Sequence, residues 1–282
     1  MFQAQAKYVH QIFYDEPTRG LLDLGFLPID NSQSERPDWF EFLVIRDFLH
    51  RTPLDERAWY GFLSPRFREK TGLDSSFVFD FIDRIYSHAD VALFSARWDL
   101  IAFFRSPFEQ GEIFHPGLLD LSERFLQSID VEIDLRTLTT HSLSSVYSNF
   151  IVAKPVFWRA WLKLADAFFD RVEHGRDALA LALQASTTYA PQGRSMPSAP
   201  MKTFIQERLT SLVLAQGAFR VATPDLSGQF PFDSPFERSA RARRVLQCCD
   251  LLKQQYATLG DPSFLEAYLK LRAVVPMASG TA

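Results

Sequence analysis

The chain has 282 residues, of which 47% are hydrophobic and 23% are charged, and its formal net charge is −4. These values indicate a globular protein with a sizeable core. The lack of any Lys/Arg block excludes a general nucleic-acid binder, so no nucleic-acid partner is expected. Two adjacent cysteines without metal-ligand spacing, no apolar run of membrane-spanning length and an N-terminus unlike a signal peptide favour a cytoplasmic location.

The N-terminal part of the chain alternates short apolar runs with helical patterns. Residues 8–14 predict a strand, and a helix start follows directly at Asp15, Glu16 and Pro17, because an acidic cap and an early proline suit the first helical turn. The next predicted elements are a second apolar run at 24–29, an amphipathic helix at 38–50 and a strand at 59–63.

The middle of the chain continues this alternation. The predicted elements are a helix at 75–86, a buried strand at 90–95, a turn at 111–117, a helix at 118–126, a strand at 150–153 and a helix that begins behind Lys154 and Pro155. Since strands that alternate with helices form mostly parallel sheets, we expect a predominantly parallel sheet covered by helices. In such sheets ligands bind beyond the carboxyl ends of the strands.

The last third of the chain is more helical. Its predicted elements are a loop at 192–200, a helix at 204–214, a strand at 218–222, a loop at 227–235 and helices after residue 235.

Several common catalytic motifs do not occur in the sequence. There is no glycine-rich phosphate loop and no Gly-x-Ser-x-Gly, which argues against P-loop enzymes, dinucleotide-binding Rossmann domains and typical serine hydrolases. Asp130, Glu132 and Asp134 would share one side of an extended segment and could hold Mg²⁺ or Mn²⁺. A solvated loop is the favoured interpretation of these three acids.

Eight segments occur in an order that carries a further signal. They are HQIFYDE (10–16), LPIDN (27–31), DWFEFLVIRDFL (38–49), WYGFLSPRFREKTG (59–72), DVALFS (90–95), PFEQGEIFHPG (107–117), SNFIVAKPVFWRAWL (148–162) and FIQERLTSLVLAQGAFRV (204–221). In this order they resemble bacterial glycosyltransferases of capsule and O-antigen loci that have the GT-A nucleotide-sugar fold. The most specific pieces are 149–154 and 207–209.

The resemblance implies an α/β fold with a GT-A-like, mostly parallel central sheet flanked by helices. It implies a nucleotide-sugar-binding domain at 1–230 and a helical C-terminal extension at 231–282 that packs on it. The partners would be a nucleotide sugar and a saccharide acceptor. A peripheral contact with the inner membrane or with an assembly complex stays open, because Arg241, Arg243 and Arg244 form a small basic cluster.

The chain departs from the family where many GT-A enzymes carry Asp-x-Asp to hold a metal ion and the diphosphate. Behind the strand at 90–95 it has Ala96, Arg97, Trp98 and Asp99 instead. No cofactor is therefore certain. Mn²⁺ or Mg²⁺, a metal-independent mechanism and a loss of activity all stay open, and no metal ligand is assigned.

Transfer of a sugar from a nucleotide requires a base for the acceptor hydroxyl and donors or cations for the diphosphate. The candidate catalytic residues are Asp99 and Glu207 as general bases and His115 as an acid or phosphate contact. The candidate substrate-binding residues are Tyr14, Asp15 and Asp30 at the nucleotide, Arg66, Arg97 and Lys154 at the leaving group, and Asn149 at the sugar hydroxyls. Helix capping, ion pairs and ordinary strand-to-helix turns are the alternative explanations of these residues.

We therefore expect a glycosyltransferase that moves a sugar from a nucleotide-sugar donor to a saccharide acceptor in bacterial surface polysaccharide synthesis. One alternative is a non-catalytic GT-A-like binding or scaffold protein of a polysaccharide assembly complex. Another is an unrelated α/β transferase that acts on a phosphorylated metabolite. Stabilisation by nucleotides or nucleotide sugars would favour the enzyme over the scaffold.

Overall fold

A computed structural model describes residues 6–187 and 198–276 of the chain. Its strands are β1 (Lys7–Phe13), β2 (Leu27–Asp30), β3 (Trp59–Leu63), β4 (Val91–Leu93), β5 (Ile151–Ala153), β6 (Ser186–Thr187), β7 (Ala199–Pro200) and β8 (Val221–Ala222). Six of them form a central sheet in the order β2-β1-β3-β5-β4-β8, and β6 and β7 form a separate antiparallel pair.

One strand of the central sheet runs against the others. β1 is parallel to β2 and β3, and β4 is parallel to β8, whereas β5 is antiparallel to both β3 and β4. The expectation of a mostly parallel α/β sheet is thus confirmed at this coarse level. We call the side at which β1 to β4 end the carboxyl end of the sheet and the opposite side the amino end. β5 begins at the carboxyl end and finishes at the amino end.

Helices pack on this sheet. They are α1 (Glu16–Arg19), α2 (Phe40–Arg51), α3 (Phe67–Thr71), α4 (Ser75–Ile85), α5 (Trp98–Phe103), α6 (Pro107–Phe114), α7 (Leu118–Gln127), α8 (Pro155–His174), α9 (Ala178–Gln184), α10 (Met201–Gln206), α11 (Leu209–Gln216), α12 (Ala240–Leu259) and α13 (Pro262–Arg272).

The side chains of β3 show how both faces of the sheet are covered. Successive strand residues point to opposite faces. Tyr60 and Phe62 join the apolar cluster that includes α2 and α8, and the Phe62 ring meets the Trp158 ring edge-on with centroids 5.1 Å apart. Trp59 and Leu63 join a second cluster with α3 and α4. The sheet is therefore buried on both faces, as its apolar strands require.

The C-terminal helices α12 and α13 form a pair, and α12 packs on α5. Lys253 of α12 is fully buried, and its ammonium donates hydrogen bonds to the carbonyl oxygens of Ile101 and Phe104, the latter at 2.6 Å. These carbonyls lie at the end of α5, where a cation is favourable. Burial lowers the pKa of Lys253 to about 8. A buried cation thus joins the C-terminal pair to the rest of the fold.

Two elements differ from the sequence-based expectation. Most of the turn expected at 111–117 is helical, because Ser106 caps α6, which continues to Phe114. Gly111 lies inside this helix, where a Cβ atom would lie 2.7 Å from Nε of Arg208. The single helix expected at 204–214 is broken between α10 and α11, with Glu207 at the break.

No helix in the described ranges is long and apolar enough to cross a bilayer. Of the loop expected at 192–200, residues 192–197 lie outside the described residues. The division into units 1–230 and 231–282 stays a prediction.

Candidate functional site

Strand direction decides which residues meet at the carboxyl end of the sheet. Tyr14 follows β1 and Ser64 follows β3, so both lie there. Since β5 is antiparallel, the residues that precede it, Ser148 and Asn149, reach the same place. The start of β5 therefore meets the ends of its neighbours.

A pocket of about 170 Å³ opens at this point. Its walls come from α2, the β3–α3 connection, the turn before β5, α8, and the α10–α11 break. The lining residues are Phe40, Glu41, Phe42, Ile45, Phe62, Ser64, Lys70, Ser148, Asn149, Ile151, Trp158, Trp161, Thr203, Gln206, Glu207 and Thr210. We call this the carboxyl-end pocket.

Two carboxylates, Glu41 and Glu207, line the carboxyl-end pocket. Glu207 is accessible to the water of the pocket, although protein surrounds it, and this enclosure raises the pKa of its carboxyl group. The neighbouring Glu41 also raises this pKa, whereas Arg208 and Lys70 lower it. Burial, followed by the charge of Glu41, raises the pKa of the Tyr14 hydroxyl. Tyr14, Glu41 and Glu207 thus form one electrostatically linked group.

Four buried polar atoms of the pocket lack a hydrogen-bond partner among the described residues. They are Ser64 Oγ, Asn149 Oδ1, Thr203 Oγ1 and Gln206 Oε1. Buried polar atoms in proteins are nearly always hydrogen-bonded, because an unmade bond costs about 1–3 kcal/mol. A ligand or water in the pocket can supply these partners, although other buried polar atoms without a partner in the described ranges, such as Trp59 Nε1 and Tyr147 Oη, lie elsewhere in the fold.

Backbone strain is concentrated in the same place. Phe40 (φ 48°), Ser148 (φ 67°) and Asn149 (φ 51°) have positive φ angles, and they are three of the four such non-glycine residues in the described ranges. All three line the pocket. Strain of this kind costs about 1–3 kcal/mol per residue and persists mainly at functional sites.

An ion-pair network supports the strained turn at Phe40. Arg36 donates to both carboxylate oxygens of Asp38 at 2.9 Å and to both of Glu173 at 2.6 Å. Arg36 is the main cause of the lowered pKa of each carboxyl group. Lys202, which is buried, bonds to Asp38, and its ammonium lies 4.2 Å from the ring centre of Trp39. Charges on three elements therefore fix the residues directly before Phe40.

Of the candidate residues from the sequence, Asn149 and Glu207 line the pocket and Tyr14 lies beside Glu41. Asp15 caps α1 through Thr18. Asp30 accepts a hydrogen bond from the amide of Ser32 at 2.8 Å. Both aspartates are exposed and lie outside the pocket, in the capping and turn roles that the sequence left open as alternatives.

Three further candidates are engaged elsewhere. Arg66 pairs with Glu69 at 2.6 Å on the exposed side of α3. Asp99 is fully buried in α5, 3.6 Å from Arg97, and burial raises its pKa. Arg97 also donates to Asp233 at 2.7 Å. None of them lines the carboxyl-end pocket.

His115 is buried behind α10 rather than in the pocket. Its ring stacks on the ring of Phe204 with centroids 3.6 Å apart, and its amide donates to the carbonyl of Gly111 at 2.7 Å. His115 is the C-cap residue of α6, and it does not line the pocket.

Lys154 lies at the other end of the sheet. It follows β5, and because β5 is antiparallel this position is at the amino end. There its ammonium lies 3.5 Å from Asp90, which also accepts hydrogen bonds from Arg220 at 2.7 and 3.0 Å. The expectation that one strand brings Asn149 and Lys154 into a shared pocket is therefore wrong, since the two residues lie at its opposite ends.

Sequence reasoning missed Glu41, Gln206 and Phe40 as pocket residues. Glu41 and Phe40 belong to the first turn of α2, and Lys70 follows β3 within α3. Lys70 comes soon after a strand end, which is a position that favours a ligand site. The strained backbone of Phe40 leaves no trace in the sequence pattern.

The described residues do not fit a metal centre held by the protein alone. Within 6–187 and 198–276, no three His, Cys, Asp or Glu side chains converge as metal ligands. Asp130, Glu132 and Asp134 lie in an exposed loop segment, where Asp134 bonds to Thr137. A role for Mn²⁺ or Mg²⁺ stays a prediction.

Comparisons of the chain with protein-family models, with curated proteins and with solved structures give no match.

Proposed function

We propose that the protein is a glycosyltransferase with a GT-A-like fold, which moves a sugar from a nucleotide-sugar donor to a saccharide acceptor in bacterial surface polysaccharide synthesis. The carboxyl-end pocket is the observation that supports this most. It lies where ligands bind in α/β sheets, and it combines accessible carboxylates with buried polar atoms that lack partners.

Glu207 is the general base in this proposal. A raised pKa suits a base, because the carboxylate then accepts a proton more readily at neutral pH. The acceptor hydroxyl gives its proton to Glu207 while its oxygen forms a bond to the anomeric carbon of the donor sugar. The bond from that carbon to the diphosphate oxygen breaks, and its electron pair leaves with the nucleoside diphosphate.

The other pocket residues hold the saccharide. The unpaired oxygens of Asn149 and Gln206 accept hydrogen bonds from sugar hydroxyls. Phe40, which is 44% exposed at the rim, offers its ring to the apolar side of the sugar. Lys70 is a cation of the pocket lining, and its charge, like that of Arg208, lowers the pKa of Glu207.

The test is the release of nucleoside diphosphate. Wild-type protein is incubated with a panel of nucleotide sugars and saccharide acceptors, with and without Mn²⁺, and the released nucleotide is measured. We expect acceptor-dependent release, which Glu207→Gln lowers by about 10²–10⁴-fold. Glu266→Gln, a matched change on the exposed side of α13, keeps the wild-type rate.

Three outcomes would contradict parts of this proposal. Full activity of Glu207→Gln would remove Glu207 as the base. Binding of nucleotide sugars without release would favour the non-catalytic binding protein. Neither binding nor release with any donor would overturn the nucleotide-sugar proposal itself.

A further inference from the structure

The carboxyl-end pocket is small for a complete nucleotide sugar. Pockets that enclose a drug-sized ligand measure about 300–1,000 Å³. The 170 Å³ of this pocket fall below that range. A nucleotide sugar has a base, a ribose, a diphosphate and a sugar, so most of it must lie outside this pocket.

Several polar groups of the pocket can only accept hydrogen bonds. The carboxylates of Glu41 and Glu207 accept hydrogen bonds when ionised, and the unpaired atoms of Asn149 and Gln206 are amide oxygens, which accept only. The amide nitrogen of Gln206 donates to the carbonyl of Trp39 at 3.4 Å. The lining also holds donors in the ammonium of Lys70 and the hydroxyls of Ser64 and Thr203. A ligand that brings donors can satisfy the carboxylates and the amide oxygens.

The charged residues of the pocket lining also disfavour an anionic ligand. Among the described lining residues, Lys70 is the cation and Glu41 and Glu207 are the anions. The guanidinium of Arg208 donates to the carbonyls of Pro107 and Phe204 and to the side chain of Gln110, and it does not line the pocket. The lining thus offers no net positive charge, whether Glu207 is ionised or protonated.

An anionic ring would meet this surface unfavourably. A carboxylate or phosphate group brings further acceptors and a negative charge next to two carboxylates. Hydroxyl groups bring donors, and an ammonium group brings three donors with a positive charge. The exposed ring of Phe40 and the indole of Trp158 complete a partly apolar wall, which suits the C–H side of a sugar ring.

We propose that the carboxyl-end pocket binds a single sugar ring that is uncharged or carries an amino group, and that it excludes rings with a carboxylate or phosphate. This rests on the proposed function, in that it takes the pocket as the place of the sugar acceptor. It adds the substrate class: the acceptor ends in a neutral or amino sugar and not in a uronic acid.

The test compares three probes of the same size. Methyl glucoside, the methyl glycoside of glucosamine and the methyl glycoside of glucuronic acid are titrated into the full chain, and binding is followed by calorimetry and by ligand-observed NMR. We expect the amino and neutral rings to bind, and the uronic acid to bind about tenfold more weakly or worse.

Variants connect this preference to the two carboxylates. Glu41→Gln and Glu207→Gln keep the shape of the pocket but remove charge, so each reduces the discrimination against the uronic acid. Glu266→Gln leaves it as in the wild type. Tight binding of the uronic acid, or no binding of any of the three probes up to their solubility, would overturn the inference.

The binding test does not depend on turnover. If the neutral or amino ring binds but no nucleoside diphosphate is ever released, the proposed function fails and the pocket assignment stands. If release occurs with acceptors that end in a uronic acid and not with the others, the proposed function stands and the inference fails.

Discussion

The polar residues at the two ends of the central sheet differ in whether they have partners. At the amino end, Asp90 is paired with Arg220 and Lys154. At the carboxyl end, the charge of Glu41 helps to raise the pKa of Glu207, and the amide oxygens of Asn149 and Gln206 lack donors. The short strand β5 connects both ends. A satisfied cluster stabilises the fold, whereas an unsatisfied one keeps groups available for a ligand.

The largest stability effect is expected at the amino end. Asp90→Ala leaves the ammonium of Lys154, whose side chain is only 16% exposed, without its carboxylate and removes the bonds of Arg220. We expect a loss of about 2 kcal/mol in the free energy of unfolding, measured by urea denaturation. Binding of the methyl glycosides stays unchanged.

Asp90→Asn is the milder control, because it keeps the shape and one acceptor oxygen but loses the charge and the second acceptor. The pairing with Arg220 lowers the pKa of Asp90. Its contribution is therefore present above the ordinary carboxyl pKa and is lost as the pH falls through the lowered value. A urea midpoint of Asp90→Ala equal to that of the wild type would show that this cluster does not stabilise the fold.

A smaller effect is expected at Phe40, where φ is 48° and ψ is −131°. This conformation is open to glycine and strained for other residues. Phe40→Gly and Phe40→Ala both remove the ring and should weaken glycoside binding equally. The free energy of unfolding of Phe40→Gly should be about 1 kcal/mol higher than that of Phe40→Ala, because only glycine relieves the strain. A less stable glycine variant would contradict strain at the rim.

The smallest effect is expected for Glu207→Gln. Protein enclosure raises the pKa of Glu207, so between the ordinary glutamate pKa of 4.5 and the raised value the folded state holds this proton more tightly than the unfolded state. Stability then falls as the pH rises through that window. Glu207→Gln should have a slightly higher Tm than the wild type at about pH 8, with the difference vanishing at about pH 4.

Glu266→Gln, on the exposed side of α13, is measured in parallel as the matched change of charge. A lower Tm of Glu207→Gln at about pH 8 would mean that the Glu207 carboxylate stabilises the fold. At neutral pH, removing the carboxylate should therefore lower stability at the amino end (Asp90→Ala) and raise it at the carboxyl end (Glu207→Gln).

Local patterns predicted many of the elements well. β3 occupies the predicted residues 59–63, and the helix expected from residue 75 begins at Ser75, where Asp74 caps it. The apolar run at 150–153 gives β5 almost to the residue. These elements follow from periodicity, turns and caps, which are written in neighbouring residues.

The direction of β5 could not be read in the same way. Three apolar residues fit a parallel and an antiparallel strand equally, and the alternation of strands with helices favours the parallel arrangement. Because of this one reversal, Asn149 and not Lys154 lies at the carboxyl end of the sheet. Glu41 and Gln206 were missed for a related reason: they belong to helices whose place beside the pocket depends on long-range packing.

The position of β5 also has a consequence for how the chain acquires its structure. β3 and β4 lie on either side of β5 in the sheet. In the sequence, however, 57 residues (94–150) separate the end of β4 at Leu93 from the start of β5 at Ile151. During synthesis β3 and β4 therefore emerge before β5, the strand with which both of them pair. Contacts of such high sequence separation form slowly. A nascent chain that stops before Ile151 should remain protease-sensitive, and one that extends past α8 should become resistant.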